Sequence, residues 1–180
     1  MKSVKISLLI LGLLLVMIFL VLTLRPLVAF WVAVGIATAY AGAFVLLPSV
    51  DVSLNMLSTF AFLLVLGIVV DDAIVVGEGI HTEAHRIGGG VESSIAGAQL
   101  VAKPVIFGVL TTVMAFLPWL FLSGSTSEFT RHITWVVILA LVFSLVESLL
   151  ILPAHLRHMR PSDRRPWGPF AAWGWFTGLF

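Results

Sequence analysis

Two adjacent aspartates, Asp71 and Asp72, stand inside an otherwise apolar run, Leu57–Val76. A helix of about 20 apolar residues crosses a bilayer, so this run is long enough to do so. A carboxylate near the bilayer centre costs roughly 2.5–3.5 kcal/mol on insertion scales. Two side by side cost more, because each charge opposes ionisation of the other. Helix packing alone calls for no such residues. The chemistry open to the pair is reversible protonation, with a proton taken from one side of the membrane and given to the other. The structural alternative is a buried pair held by hydrogen bonds with no part in transport. On a helix, neighbours in sequence point about 100° apart, so one partner helix lying between them touches both. Gly67, one turn before Asp71, leaves room for such a helix.

The elements that position the pair follow from composition. The chain has 180 residues, 60% hydrophobic and 11% charged, with a mean hydropathy of +1.14. That is an integral membrane composition, since a soluble domain needs far more polar surface. A net charge of +1 gives no argument for nucleic acid. With no cysteine, disulfides and thiolate metal sites are excluded. Five runs are long enough to span: Ile6–Leu24, Leu27–Leu47, Leu57–Ile80, Pro104–Leu122 and Ile133–Leu152. Lipid admits only helices or closed barrels, and no run alternates as barrel strands do. The expected fold is therefore all-α: a polytopic bundle of five transmembrane helices over residues 1–160. Residues 161–180 mix prolines, Arg164 and Arg165 with Trp167, Trp173 and Trp175. That mixture predicts an amphipathic tail at the headgroup level.

Lys and Arg set the orientation. Five spans put Lys2, Lys5 and Arg131 on one side, and Arg25, Arg86, Lys103, Arg157, Arg160, Arg164 and Arg165 on the other. Seven against three places the second side, with the C-terminus, in the cytoplasm. The start Met1-Lys2-Ser3-Val4-Lys5 resembles a signal anchor, which points the other way. This conflict leads us to expect a piece of a longer protein.

Gly35, Ala39 and Ala43 recur every four residues on the second span and predict a close helix–helix approach. Pro118 and Pro153 are expected to end or kink helices. The five spans hold Asp71, Asp72, Glu78 and Glu147 but no Lys, Arg or His. Buried carboxylates need a partner or a proton, so a cation is expected from helices outside this sequence. Glu78 either extends a proton path or stands at the headgroups. Glu147 is expected to be satisfied by Ser144 and Ser148. His81 and His85 read as solvated loop residues, since Glu83 is misplaced for a zinc-protease pattern. Gly88-Gly89-Gly90 lacks a following Gly-Lys-Ser/Thr and reads as a turn. No nucleophile triad or nucleotide fingerprint appears, so neither catalysis nor a cofactor is expected.

The segment LGIVVDDAIVVGEGIHTEAHR, residues 66–86, resembles the fourth transmembrane helix of resistance-nodulation-division (RND) efflux transporters of the acriflavine-resistance type. VDVSLNMLSTFAFLLVLGIVVDD is similar to the approach into that helix, AKPVIFGVLTTVMAFLPWLFLSG to the fifth helix, and FSLVESLLILPAHL to the end of the sixth. Ile6–Leu47 is similar in layout to helices two and three. The resemblance implies a proton/drug antiporter of the bacterial inner membrane. In it, Asp71 and Asp72 match the proton-relay pair, and a Lys partner lies on the second transmembrane half. It also implies a homotrimer, with a periplasmic adaptor and an outer-membrane channel as further partners. The first helix, the periplasmic domains and helices seven to twelve have no counterpart in this sequence. The alternatives are a scaffolding or inert membrane fragment, and a superfamily member exporting lipid or protein.

Overall fold

Asn55 fixes where the Asp-bearing helix begins. In the computed structural model, which describes residues 26–124 and 127–158 together with positions 7, 11, 12 and 15, its Oδ1 accepts from the backbone N–H groups of Leu57 (2.8 Å) and Ser58 (3.0 Å). The Ser58 hydroxyl accepts in return from the Asn55 N–H at 2.8 Å. This reciprocal cap satisfies donors that a helix start leaves orphaned. The helix stops at Gly88, whose φ of +103° no side chain tolerates comfortably and whose N–H donates to the Ala84 carbonyl.

Between these caps runs one 32-residue helix. It is the second of the described helices. α1 is Pro26–Leu46, α2 is Met56–Ile87, α3 is Val91–Phe116 and α4 is Ser127–Val146. A 3-10 turn, Leu47–Val50, finishes α1, and another, Leu117–Phe121, finishes α3 with Pro118 at its start. A π turn, Glu147–Ile151, joins α4 to a short α5, Leu152–Leu156, making one rod. Four helices among the described residues are long and apolar enough to cross a membrane. The expected first span, Ile6–Leu24, lies largely outside the described residues, and the tail 161–180 wholly so.

Several expected bounds need correction. α2 continues seven residues past Ile80 to Ile87, so His81 and His85 stand on helix and not in a loop, their rings 4.6 Å apart. At about 1.5 Å per residue α2 is roughly 48 Å long, more than the ~30 Å hydrocarbon core, so its polar last turns extend into water. α3 begins thirteen residues before Pro104 and runs through it. Lys103 is thus on a helix, exposed, and not in a loop. α4 begins before Ile133, so Arg131 and His132 are helical too. The expectation that spans carry no cationic side chain fails for the observed bounds. Pro153 follows the π turn and stands in the last turn of the rod, which ends at Leu156.

The helices run up and down. At one end Arg131 of α4 donates to the Val50 carbonyl at 3.1 Å and lies 3.6 Å from the Asp51 carboxylate, tying the α1–α2 link to the start of α4. At the other end the Trp31 ring stacks on His155, with centroids 4.0 Å apart. Small and β-branched side chains fill the centre: Val32 and Ile36 of α1, Val65, Val69, Ala73 and Val76 of α2, and Val136, Val137 and Ala140 of α4. α2 is the central helix. α3 lies at the periphery, burying only Ser93, Ser94, Gly97, Ala98, Val105 and Val109.

Gly35, Ala39 and Ala43 are all buried. A Cβ on Gly42 would overlap the Phe143 ring, and one on Gly35 would overlap the Glu147 carboxyl group. With lipid on one side and side chains on the other equally apolar, association rests on such close fits. The Tyr40 hydroxyl donates to the Phe62 carbonyl at 2.8 Å, which meets its need for a partner in this apolar setting.

Candidate functional site

Asp71 and Asp72 occupy the midpoint of α2. Fifteen residues precede them (56–70) and fifteen follow (73–87). With α2 crossing the membrane, the pair stands near its centre, where an ionised carboxylate finds least water.

The two side chains have different surroundings. Asp71 is exposed. It belongs to a continuous exposed stripe, Phe60, Leu64, Gly67, Asp71, Val75 and Glu78, at steps of three or four residues. This is the spacing of one helix face. A Cβ added at Gly67 would meet nothing within 4 Å. Asp72 turns about 100° away and is half-buried. Its Oδ2 is buried and has no hydrogen-bond partner among the described residues. Most buried polar atoms are satisfied, so an orphan in a native fold calls for an account.

Glu78 lies two turns beyond Asp71 on the same stripe, about 10 Å along the axis, and is exposed. It stands nine residues before the helix end. The described ion pairs lie elsewhere: Arg86–Glu83 at 2.7 Å and Arg131–Asp51. Among the described residues, none offers a cation to Asp71, Asp72 or Glu78. No group of three His, Cys, Asp or Glu residues there could hold a metal.

The family assignment follows from comparison with known proteins. The whole chain, residues 1–180, matches the family described as AcrB/AcrD/AcrF. The chain belongs to the AcrB/AcrD/AcrF family. The RND resemblance of the residues around Asp71 and Asp72 agrees with this membership. Among curated relatives, multidrug resistance protein MdtC of Salmonella typhi is 34% identical over 134 residues, covering 73% of this chain and 13% of its own length. MdtC of Yersinia enterocolitica is 33% identical over 141 residues, covering 74% and 13%. Multidrug resistance protein MdtF of Escherichia coli K12 is 26% identical over 132 residues, covering 67% and 12%. This family member spans about an eighth of the length of the curated relatives it matches.

One residue of the site region, Gly97, escaped the sequence reading, and another, Glu147, has different surroundings from those expected. Gly97 on α3 abuts α2, and a Cβ there would overlap the backbone of Ile80. Ser94, Gly97 and Ala98, small residues at i, i+3 and i+4, carried that signal. Glu147 was expected to be satisfied by Ser144 and Ser148. Instead, neither serine bonds to it, and the Ser148 hydroxyl donates to the Leu145 carbonyl at 3.5 Å.

Proposed function

We propose that this chain carries the proton-relay acids of an RND multidrug antiporter, with Asp71 and Asp72 binding and releasing the protons that drive export. The observation that carries this reading is the carboxyl pair at the midpoint of the central helix. One carboxyl opens onto an unfilled helix face, and the other holds a buried, unpartnered oxygen. A helix packing on the stripe from Phe60 to Glu78 brings a cation to Asp71. With that cation near, the carboxylates are stable when ionised; when it withdraws, they take up protons. Two arrangements of one contact thus couple proton occupancy to helix position, which is what an antiporter requires. The pair titrates as a unit, so each proton belongs to both acids. Glu78, on the same stripe, extends the proton path.

The names of the relatives support drugs as cargo, and family membership supports a multi-pass place in the bacterial inner membrane. The partners in this reading are the bilayer, the remaining transmembrane half, two further copies in a homotrimer, a periplasmic adaptor and an outer-membrane channel. The basic residue bias supports a cytoplasmic C-terminus. In cells, Asp71→Asn or Asp72→Asn in a full-length transporter carrying this segment is expected to abolish drug resistance at matched expression. Resistance at the wild-type level in either variant refutes the relay.

A further inference from the structure

Glu147 is 4% exposed, in a helix rod that crosses the apolar layer. Its carboxyl group fills the space where a side chain on Gly35 of α1 would begin. Gly35 is therefore a notch that admits this carboxyl. The backbone around Glu147 is also unusual. Residues Glu147–Ile151 form a π turn, and the Leu152 N–H donates to the Glu147 carbonyl across it. Single π turns are rare and recur at functional sites.

The depth of this notch can be read from neighbouring contacts. Val28 and Val32 lie at Gly77, while Tyr40 and Phe44 lie at Phe62. α1 and α2 are antiparallel, so Gly35 falls within about one turn of Asp71 and Asp72 along α2. Glu147 thus sits near the depth of the pair, but on the side of α2 away from the open stripe.

The elements packed against the π turn are α1, α2, α4 and α5. The ionisable side chains they carry are few. α1 has Tyr40, which is bonded to Phe62. On α2, Asp72 turns into the bundle while Asp71 and Glu78 face away. Glu83 is paired with Arg86, and His81 and His85 stand on the last turns. On the rod itself, Glu128, Arg131 and His132 stand at its start, and His155 is stacked on Trp31. Among the described residues none gives the Glu147 carboxyl a hydrogen bond or an ion pair. A buried carboxyl without a cation is held most cheaply as the neutral acid.

We propose that Glu147 is a second intramembrane proton-binding site, closed by the Gly35 notch and opened when α1 and the π turn part. On opening, the carboxyl O–H bond breaks, and the proton leaves on a water molecule admitted between the helices. A carboxylate remains, which opposes reclosure until it is protonated again. The binding of a proton stands on this geometry alone; its use in export rests on the relay reading above.

The test uses the chain in lipid bilayers with Asp71→Asn and Asp72→Asn, so that the pair is silent. N,N′-dicyclohexylcarbodiimide, a lipid-soluble reagent that adds to protonated carboxyls, is applied near neutral pH. Peptide mass spectrometry is expected to find the adduct at Glu147. Infrared spectroscopy is expected to show a protonated-carboxyl band that is lost in Glu147→Gln and displaced in Gly35→Ala. The labelling needs no substitution at Glu147, so it holds even if Glu147→Gln fails to fold. No adduct at Glu147, or a band undiminished by Glu147→Gln in the folded chain, overturns the site. Wild-type resistance in the Asp71 or Asp72 variants overturns the relay and leaves both readouts untouched, so the two failures are distinguishable.

Discussion

Gly97 of α3 meets Gly79 of α2 backbone to backbone: a Cβ built on Gly97 would stand 2.6 Å from the Gly79 carbonyl oxygen. The reverse placement, a Cβ on Gly79, would stand 2.9 Å from the Gly97 carbonyl oxygen. The atoms in the way are backbone, which cannot rotate aside. This contact holds the peripheral helix against the one that carries Asp71 and Asp72.

Gly97→Ala is therefore expected to destabilise the bundle by about 1–3 kcal/mol, the usual range for overpacking. Reversible unfolding in mixed detergent micelles measures this. An unchanged midpoint would show that α3 does not depend on the close approach.

Gly67→Ala is expected to behave in the opposite way. Its Cβ meets nothing within 4 Å, and alanine favours helix over glycine by about 1 kcal/mol. This chain should be as stable as before or slightly more so. If a second helix lies on the stripe in a full-length transporter, the same methyl group is expected to lower export there. The two measurements together, unfolding here and resistance there, test whether that face is covered. Equal behaviour in both would argue against a partner helix at Gly67.

Much of this arrangement is legible in the sequence, and the reasons differ from residue to residue. Asp71 and Asp72 stand out because no other polar side chain lies between Thr59 and Glu78. Gly88-Gly89-Gly90 reads as a turn, and α2 does stop at Gly88; the Asn55 cap, a single polar residue before an apolar run, is no part of that reading. The full lengths of α2 and α3 are less legible, because hydropathy marks the apolar layer and not the helix. The polar turns at His81–Ile87 and before Pro104 are helical beyond that layer. Glu147 is the clearest miss. Ser144 and Ser148 are its near neighbours in sequence, but its environment is set by Gly35, more than a hundred residues earlier. No local pattern encodes that contact.

The topology also admits a direct check. Arg131, near the start of α4, reaches Val50 and Asp51 of the α1–α2 link, so that link and the start of α4 are expected on the same side of the membrane. The basic bias predicts a periplasmic place for that side. Single cysteines in this cysteine-free chain, within a full-length transporter, report it through an impermeant thiol reagent. Ser123→Cys is expected to label from outside intact cells, and Arg157→Cys only after lysis. Labelling of Arg157→Cys from outside would reverse the assignment.

Proton movement itself tests the role of Asp71 and Asp72 most directly. A full-length transporter containing this segment is reconstituted in liposomes under an imposed proton gradient. Lumenal pH and substrate transport are followed together. Asn matches Asp in size and keeps hydrogen bonding but holds no exchangeable carboxyl proton. Asp71→Asn and Asp72→Asn are each predicted to abolish both substrate-dependent proton flux and gradient-driven transport, with substrate binding retained. Proton flux coupled to transport at the wild-type rate in either variant would contradict the account.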